Sequence, residues 1–219
     1  MLMSAILLLE GEDYGNSSNA VGPSRAQLPV CIPDVDRACV TIKETISFGK
    51  HCVVRRGTFQ SHPAVYKVWE VADACAKDEQ DACWQEIRKE VAAYTCLENK
   101  AAQAVVKGAA KCLGWGALHD HTMIFLALPD YRQNLLKVHL TSQWVEAIRA
   151  AIKTVHSAGI LHNDLNLRNF VGNSPNSVKL IDFACSATSG FSSDTMARQE
   201  EQFTTFLVVQ ASSSQGSVV

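Results

Sequence analysis

The chain has 219 residues, of which 47% are hydrophobic and 19% charged, with a formal net charge of −2. That much apolar side chain excludes a chain disordered throughout, and the near balance of charge excludes a dedicated binder of nucleic acid or anionic membrane. The length suits one domain or two small ones.

The first apolar stretch, Met1 to Leu9, is interrupted by Ser4 and closed by Glu10. It is too short to span a bilayer and lacks the basic flank and cleavage site of a secretory signal, so an intracellular protein, cytoplasmic or nuclear, is expected. Residues 1–35 read as a flexible segment, because Gly, Asn, Ser and Pro recur through 11–30. Eight cysteines are present, none at C-x-x-C spacing, and they are expected to be reduced packing residues.

Strands are predicted over 39–48, 51–59 and 63–70, with His62 and Pro63 marking the turn between the last two. The period changes over 79–98. There Trp84, Ile87, Val91, Tyr94 and Leu97 recur at spacings of three and four, which predicts a helix with one apolar face. Two further strands, 110–118 and 121–128, are joined around Asp120, and Pro129 closes the second. The clearest helix covers 142–157, where Trp144, Ala147, Ile148, Ala151, Ile152 and Val155 form a stripe and Gly159 stops it. A short strand over 177–181 and a helix over 196–209, carrying Met196, Phe203 and Leu207, complete the pattern. Residues 211–219 read as a disordered tail. This order of elements predicts an α+β class with two lobes.

The stretch 155–184 carries the chemistry. His162, Asp164, Leu165 and Asn169 fit H-x-D-L-x-x-x-N, and Asp182-Phe183 follows at the end of a hydrophobic run. Upstream, Lys67 lies on the predicted third strand within A-V-Y-K. These residues resemble the catalytic loop, metal-binding turn and strand lysine of the protein-kinase-like superfamily, over roughly residues 40–185. The resemblance implies a β-rich N-lobe (about 36–128), a hinge (about 129–132) and a short helical C-lobe (about 133–210). It also implies phosphoryl transfer from ATP with Mg²⁺. Asp164 would orient the acceptor hydroxyl and accept its proton, while Asn169 and Asp182 would hold the metal. Lys67 would bind phosphate and pair with a carboxylate on the following helix; Glu90 is favoured and Glu86 is the second candidate. Gly49 would belong to the phosphate loop. Leu128 and Asp130 would border adenine through backbone groups. His162 is expected to be structural.

Several positions depart from the superfamily pattern. The G-x-G-x-x-G loop is reduced to Gly49 and Gly57, with Lys50, His51, Arg55 and Arg56 around them. Ala184 replaces the glycine of D-F-G, Asn163 stands in place of a common arginine, and Asn166 in place of a lysine, with Arg168 nearby. Few residues follow Ala184 in this sequence, so a minimal or truncated C-lobe is expected. The pattern admits two readings. One is a phosphotransferase, most simply a Ser/Thr-type protein kinase, whose acceptor is a protein or small-molecule hydroxyl. The other is a pseudokinase acting as a binding module. In either case the short C-lobe would leave apolar surface for a protein partner.

Overall fold

The computed structural model describes residues 33–71, 77–101, 107–119 and 122–215, which belong, from Asp34 onward, to one compact unit. Residues 1–32 of the expected N-terminal segment, the expected joint at Asp120 and residues 216–219 of the expected tail lie outside the described residues. Five strands, β1 (Val40–Phe48), β2 (Val53–Phe59), β3 (His62–Glu70), β4 (Gly114–Leu118) and β5 (Met123–Pro129), form one antiparallel sheet in the order β1-β2-β3-β5-β4. Helix α1 (Lys77–Ala101) lies between β3 and β4 in sequence. After β5 come α2 (Ser142–Ser157), the two-residue pair β6 (Phe170–Val171) and β7 (Lys179–Leu180), and α3 (Ser193–Gln215). The class is α+β. No described helix is long and apolar enough to cross a membrane.

Period-two alternation sets the two faces of β3. Ala64, Tyr66 and Val68 are buried and pack with Phe59, Leu118 and Phe125 in one hydrophobic cluster. Lys67, of opposite parity, is left for the other face. In the sheet, Lys67 pairs with Val54 on β2 and Leu126 on β5. The turn between β2 and β3 falls at Gln60 and Ser61, both with positive φ (49° and 68°), rather than at His62-Pro63. A two-residue turn of this kind matches the twist of the flanking strands, and it leaves Pro63 inside β3 opposite Thr58. Strand β4 starts at Gly114, four residues later than the sequence predicts.

On α1, Ile87, Val91, Tyr94 and Leu97 are buried as the three-four spacing requires, but Cys83 is buried in place of Trp84, which is half-buried. On α2 the buried stripe is Val145, Ile148, Ala151, Ile152 and Val155; Trp144 is only half-buried. The helix ends in a Schellman motif. Gly159, at φ 77°, donates its N–H to His156 O (2.9 Å), and Ile160 donates to Val155 O (3.3 Å). This cap delivers the chain directly into the His162 loop. Helix α3 buries Phe203 and Leu207, with Phe203 stacked on Phe170 of β6 (centroids 5.6 Å apart). It extends through Gln215, past the point where the sequence predicts a tail, because the backbone keeps its helical bonding beyond Leu207.

Candidate active site

Three elements bring charge to one point. Lys67 on β3 donates to Glu90 Oε2 on α1 (2.6 Å) and to Asp182 Oδ1 after β7 (2.6 Å). Glu90 is 1% exposed, and its second oxygen accepts the Phe183 N–H (3.3 Å). The helix thereby holds both the lysine and the turn that carries Asp182. Tyr94, one turn along α1, meets the Phe183 ring edge to face at 5.1 Å. Burial works against the Lys67 ammonium, but the Glu90 and Asp182 carboxylates outweigh it and hold the group above its ordinary value. Burial opposes the Asp182 carboxylate too, and Lys67 outweighs it, so Asp182 lies below the usual range. Burial pushes the Glu90 carboxyl up against the pull of Lys67.

Asp164 and Asn169 face each other across the loop after α2. Asn169 Nδ2 donates to Asp164 Oδ2 (3.0 Å) and to the Asp164 carbonyl (2.9 Å). Asn166 Nδ2 donates to Asp164 Oδ1 (3.1 Å), and Arg168 Nη2 lies 3.5 Å from Asp164 Oδ2. The β6–β7 pair places Asn169 beside Asp182, since Ile181 N–H donates to Asn169 O (2.9 Å) at its open end. Asn169 spends its amide nitrogen on Asp164, which leaves its side-chain carbonyl oxygen for a cation. Asp182, which also accepts from the Ala184 backbone, has a second oxygen beyond the one bonded to Lys67. This is a hard-oxygen pair of the sort a divalent ion takes.

The sequence profile of the lipopolysaccharide kinase (Kdo/WaaP) family matches residues 124–200. Two Xenopus laevis proteins, the hormonally up-regulated neu tumor-associated kinase homologs B and A, are each 32% identical over 60 residues, which is 27% of this chain. The Xenopus tropicalis homolog is 30% identical over 60 residues. The chain matches about a tenth of the length of these curated relatives, 10% of homolog B and 9% of homolog A. The chain carries a protein-kinase-like domain.

Geometry separates the two candidate partners of the kinase-like domain's lysine. Glu90 reaches Lys67, whereas Glu86, one turn earlier, faces His51 of the β1–β2 turn (3.9 Å). The two glycines of the expected phosphate loop serve the sheet. Gly49 donates its N–H to Cys52 O (2.8 Å), and a Cβ there would meet Cys52 Sγ at 2.8 Å. At Gly57 a Cβ would fall 1.8 Å from Thr41 O, so this glycine admits the close approach of β1. Gly49 therefore has its amide engaged within the hairpin. Cys52, beside it, is pushed up to about 11 by burial and is a thiol at neutral pH.

At the end of β5, Leu128 is half-buried and pairs with Val65. Asp130 N–H donates to Pro63 O (3.3 Å), and its carboxylate accepts from Arg56 Nε (2.8 Å) and from Arg132 N–H (2.9 Å). Asp130 is thus an anchor whose own amide is taken, and Arg56, which also pairs with Glu44, ties the β1–β2 hairpin to it.

The residues around the motif complete the loop. Asn163 has φ 62°, a conformation asparagine tolerates better than most residues, and its Nδ2 donates to Cys185 O (3.1 Å). It links the Asp164 loop directly to the segment after Asp182. Ala184 is absent from the positive-φ residues, so its Cβ meets no backbone strain. His162 is fully buried; its Nε2 lies 3.0 Å from Ile181 O, and its Nδ1 accepts the Asp164 N–H (3.3 Å). These partners require a neutral ring with the proton on Nε2.

Burial lowers the His162 pKa, although Ile181 O, Asp182 and Asp164 oppose the shift. A lowered histidine pKa means that the unfolded chain binds the proton more readily. The stabilisation is complete above the unfolded value of about 6.5 and is lost as pH falls from there towards the folded value. Urea unfolding at pH 7.5 and 5.5 is expected to show the wild type losing stability on acidification, by at most about 1.4 kcal/mol per pH unit from this group. His162→Gln is expected to lack that component; an identical pH slope in the variant would refute the assignment.

Proposed function

We propose that this chain is an ATP-dependent phosphotransferase acting on a hydroxyl group. The observation that carries this reading is Lys67 held at 2.6 Å from both Glu90 and Asp182, on the site that also contains Asp164 and Asn169. A cation fixed between two carboxylates keeps its position and charge without further reorganisation, as phosphate recognition needs. Asn169 Oδ1 and the second Asp182 oxygen would hold Mg²⁺, which offsets phosphate charge when bound. Asp164, 35% exposed, is open to an acceptor. In the proposed step the acceptor oxygen bonds to the γ-phosphorus, the bond from that phosphorus to the β–γ bridging oxygen breaks, ADP leaves, and the hydroxyl proton passes to Asp164. Arg168, 65% exposed beside Asp164, supplies positive charge where the superfamily lysine is replaced by Asn166.

The acceptor class is an alcohol. A protein serine or threonine and a saccharide hydroxyl are the two acceptors to assay, the second because the matched profile is that of a lipopolysaccharide kinase family. An interaction module without turnover is a second reading. It is favoured by the engaged Gly49 amide and by Phe206 and Val208 of α3, which are 46% and 51% exposed.

A thermal-shift titration separates the two. With Mg²⁺, ATP at 100 times its dissociation constant is expected to stabilise the wild type by about 2.7 kcal/mol. Asp182→Asn is expected to lose the Mg²⁺-dependent part. A cooperatively melting wild type that shows no shift would overturn the phosphotransferase reading.

A further inference from the structure

We infer that Gln199 on α3 is a positioning residue for the catalytic loop. Its Oε1 accepts two bonds, one from the backbone N–H of His162 (3.3 Å) and one from His156 Nε2 near the end of α2 (3.2 Å). The first donor leaves no choice of orientation, since a backbone N–H can only donate, and so the carboxamide oxygen must face the loop. The second then fixes the proton of His156 on Nε2. His162 is fully buried, so without Gln199 its N–H would lack this acceptor in a place water does not reach.

The position of this bond gives it leverage. Leu161, one residue before His162, exchanges both backbone bonds with Ala187 (2.9 and 2.8 Å). Asn163, one residue after, is held at φ 62°. Asp164 comes next, with its N–H on the His162 ring. Gln199 thus secures the residue immediately before a left-handed turn, and that turn aims the Asp164 carboxylate. Freed backbone at His162 would let the Asn163 turn relax towards common φ values and move Asp164 away from Asn169. Helix α3 is anchored within the turn that follows this contact. Glu200 lies 3.5 Å from both Arg149 Nε and Lys153 Nζ of α2, and Phe203 stacks on Phe170. The helix therefore offers a rigid post from which Gln199 acts.

The kinetic part of this inference rests on the phosphotransferase reading; the structural part does not. The test compares Gln199→Leu with Gln199→Glu in the full chain. The leucine variant removes the acceptor, while a carboxylate oxygen can accept both bonds. Amide hydrogen exchange is expected to rise about tenfold or more across residues 162–164 in Gln199→Leu and to stay near wild type in Gln199→Glu. Protection in β3 and β5 should be unchanged in both. With Mg–ATP and a serine- and threonine-containing peptide as acceptor, kcat is expected to fall about tenfold in Gln199→Leu while KM for ATP stays within about twofold, with Gln199→Glu restoring kcat. Unchanged loop exchange in Gln199→Leu would overturn the inference. So would an equal loss of protection along the whole of α2 and α3, which would make Gln199 a packing residue. A wild type without phosphoryl transfer would count against the proposed function alone, because the exchange experiment still decides the role of Gln199.

Discussion

Asp164→Asn is expected to lower phosphoryl transfer by about 10²- to 10⁴-fold while leaving Mg–ATP binding within a few-fold of wild type. The carboxylate is held by Asn169 Nδ2 and Asn166 Nδ2, whereas Lys67 is held by Glu90 and Asp182. An asparagine in its place keeps an oxygen for one of those amide donors, so the loop is expected to hold its shape. What disappears is the group that can take a proton from the acceptor. Single-turnover transfer from labelled ATP, run beside a binding titration, separates the two effects. Retention of more than a tenth of wild-type transfer would remove Asp164 from the role of base. Parallel loss of binding and transfer would mean that the substitution disturbed the nucleotide site itself.

The second large effect is one of stability. Lys67→Met leaves Glu90 buried and without its cation, because Glu90 is 1% exposed and its other oxygen receives a neutral donor, the Phe183 N–H. Breaking a buried pair from one side costs about 3–5 kcal/mol, or roughly 10 °C in Tm for a domain of this size. Glu90→Gln is expected to cost much less. The lysine keeps Asp182 at 2.6 Å, and the glutamine oxygen can still accept from Phe183. The double variant Lys67→Met/Glu90→Gln should recover part of the loss, since no buried carboxylate then stands alone. Denaturant unfolding of all three variants checks the ordering. A cost for Glu90→Gln equal to or above that of Lys67→Met would show that the helix–turn contact, rather than the ion pair, dominates. ATP binding is expected to fail in Lys67→Met whichever ordering is found.

The polar cluster of the Asp164 loop is legible from the chain because it is local. Asp164, Asn166 and Asn169 lie within six positions, and their side chains meet through bonds that short spacing permits. Strand β3 is legible because alternation of buried Tyr66 and Val68 with Lys67 is a property of any half-buried strand. The turn at Gln60-Ser61 is not, since neither residue is glycine or asparagine and the nearby Pro63 gives a stronger, misplaced signal. Val145 replaces Trp144 in the α2 core because the rotation of a helix against its neighbours is set by the whole contact surface, which a stripe of similar apolar residues leaves undetermined.

The choice between Glu86 and Glu90 shows the boundary most sharply. They are one helical turn apart on the same side of α1, so periodicity gives them equal standing. The tertiary structure separates them, sending Glu86 to His51 and Glu90 to Lys67. Gly49 reads in the chain as part of a phosphate loop, and only the hairpin geometry shows its amide bonded to Cys52 O. The α+β class, the lysine strand and the acidic and amide groups of the loop can be read from the chain, because each follows from residues near one another. Packing alone decided the rest. Lys67 meets Asp182 across 115 positions, Glu90 meets the Phe183 amide across 93, and Gln199 reaches His162 across 37. No local pattern encodes such meetings, which exist only when separately formed elements bury their apolar faces together.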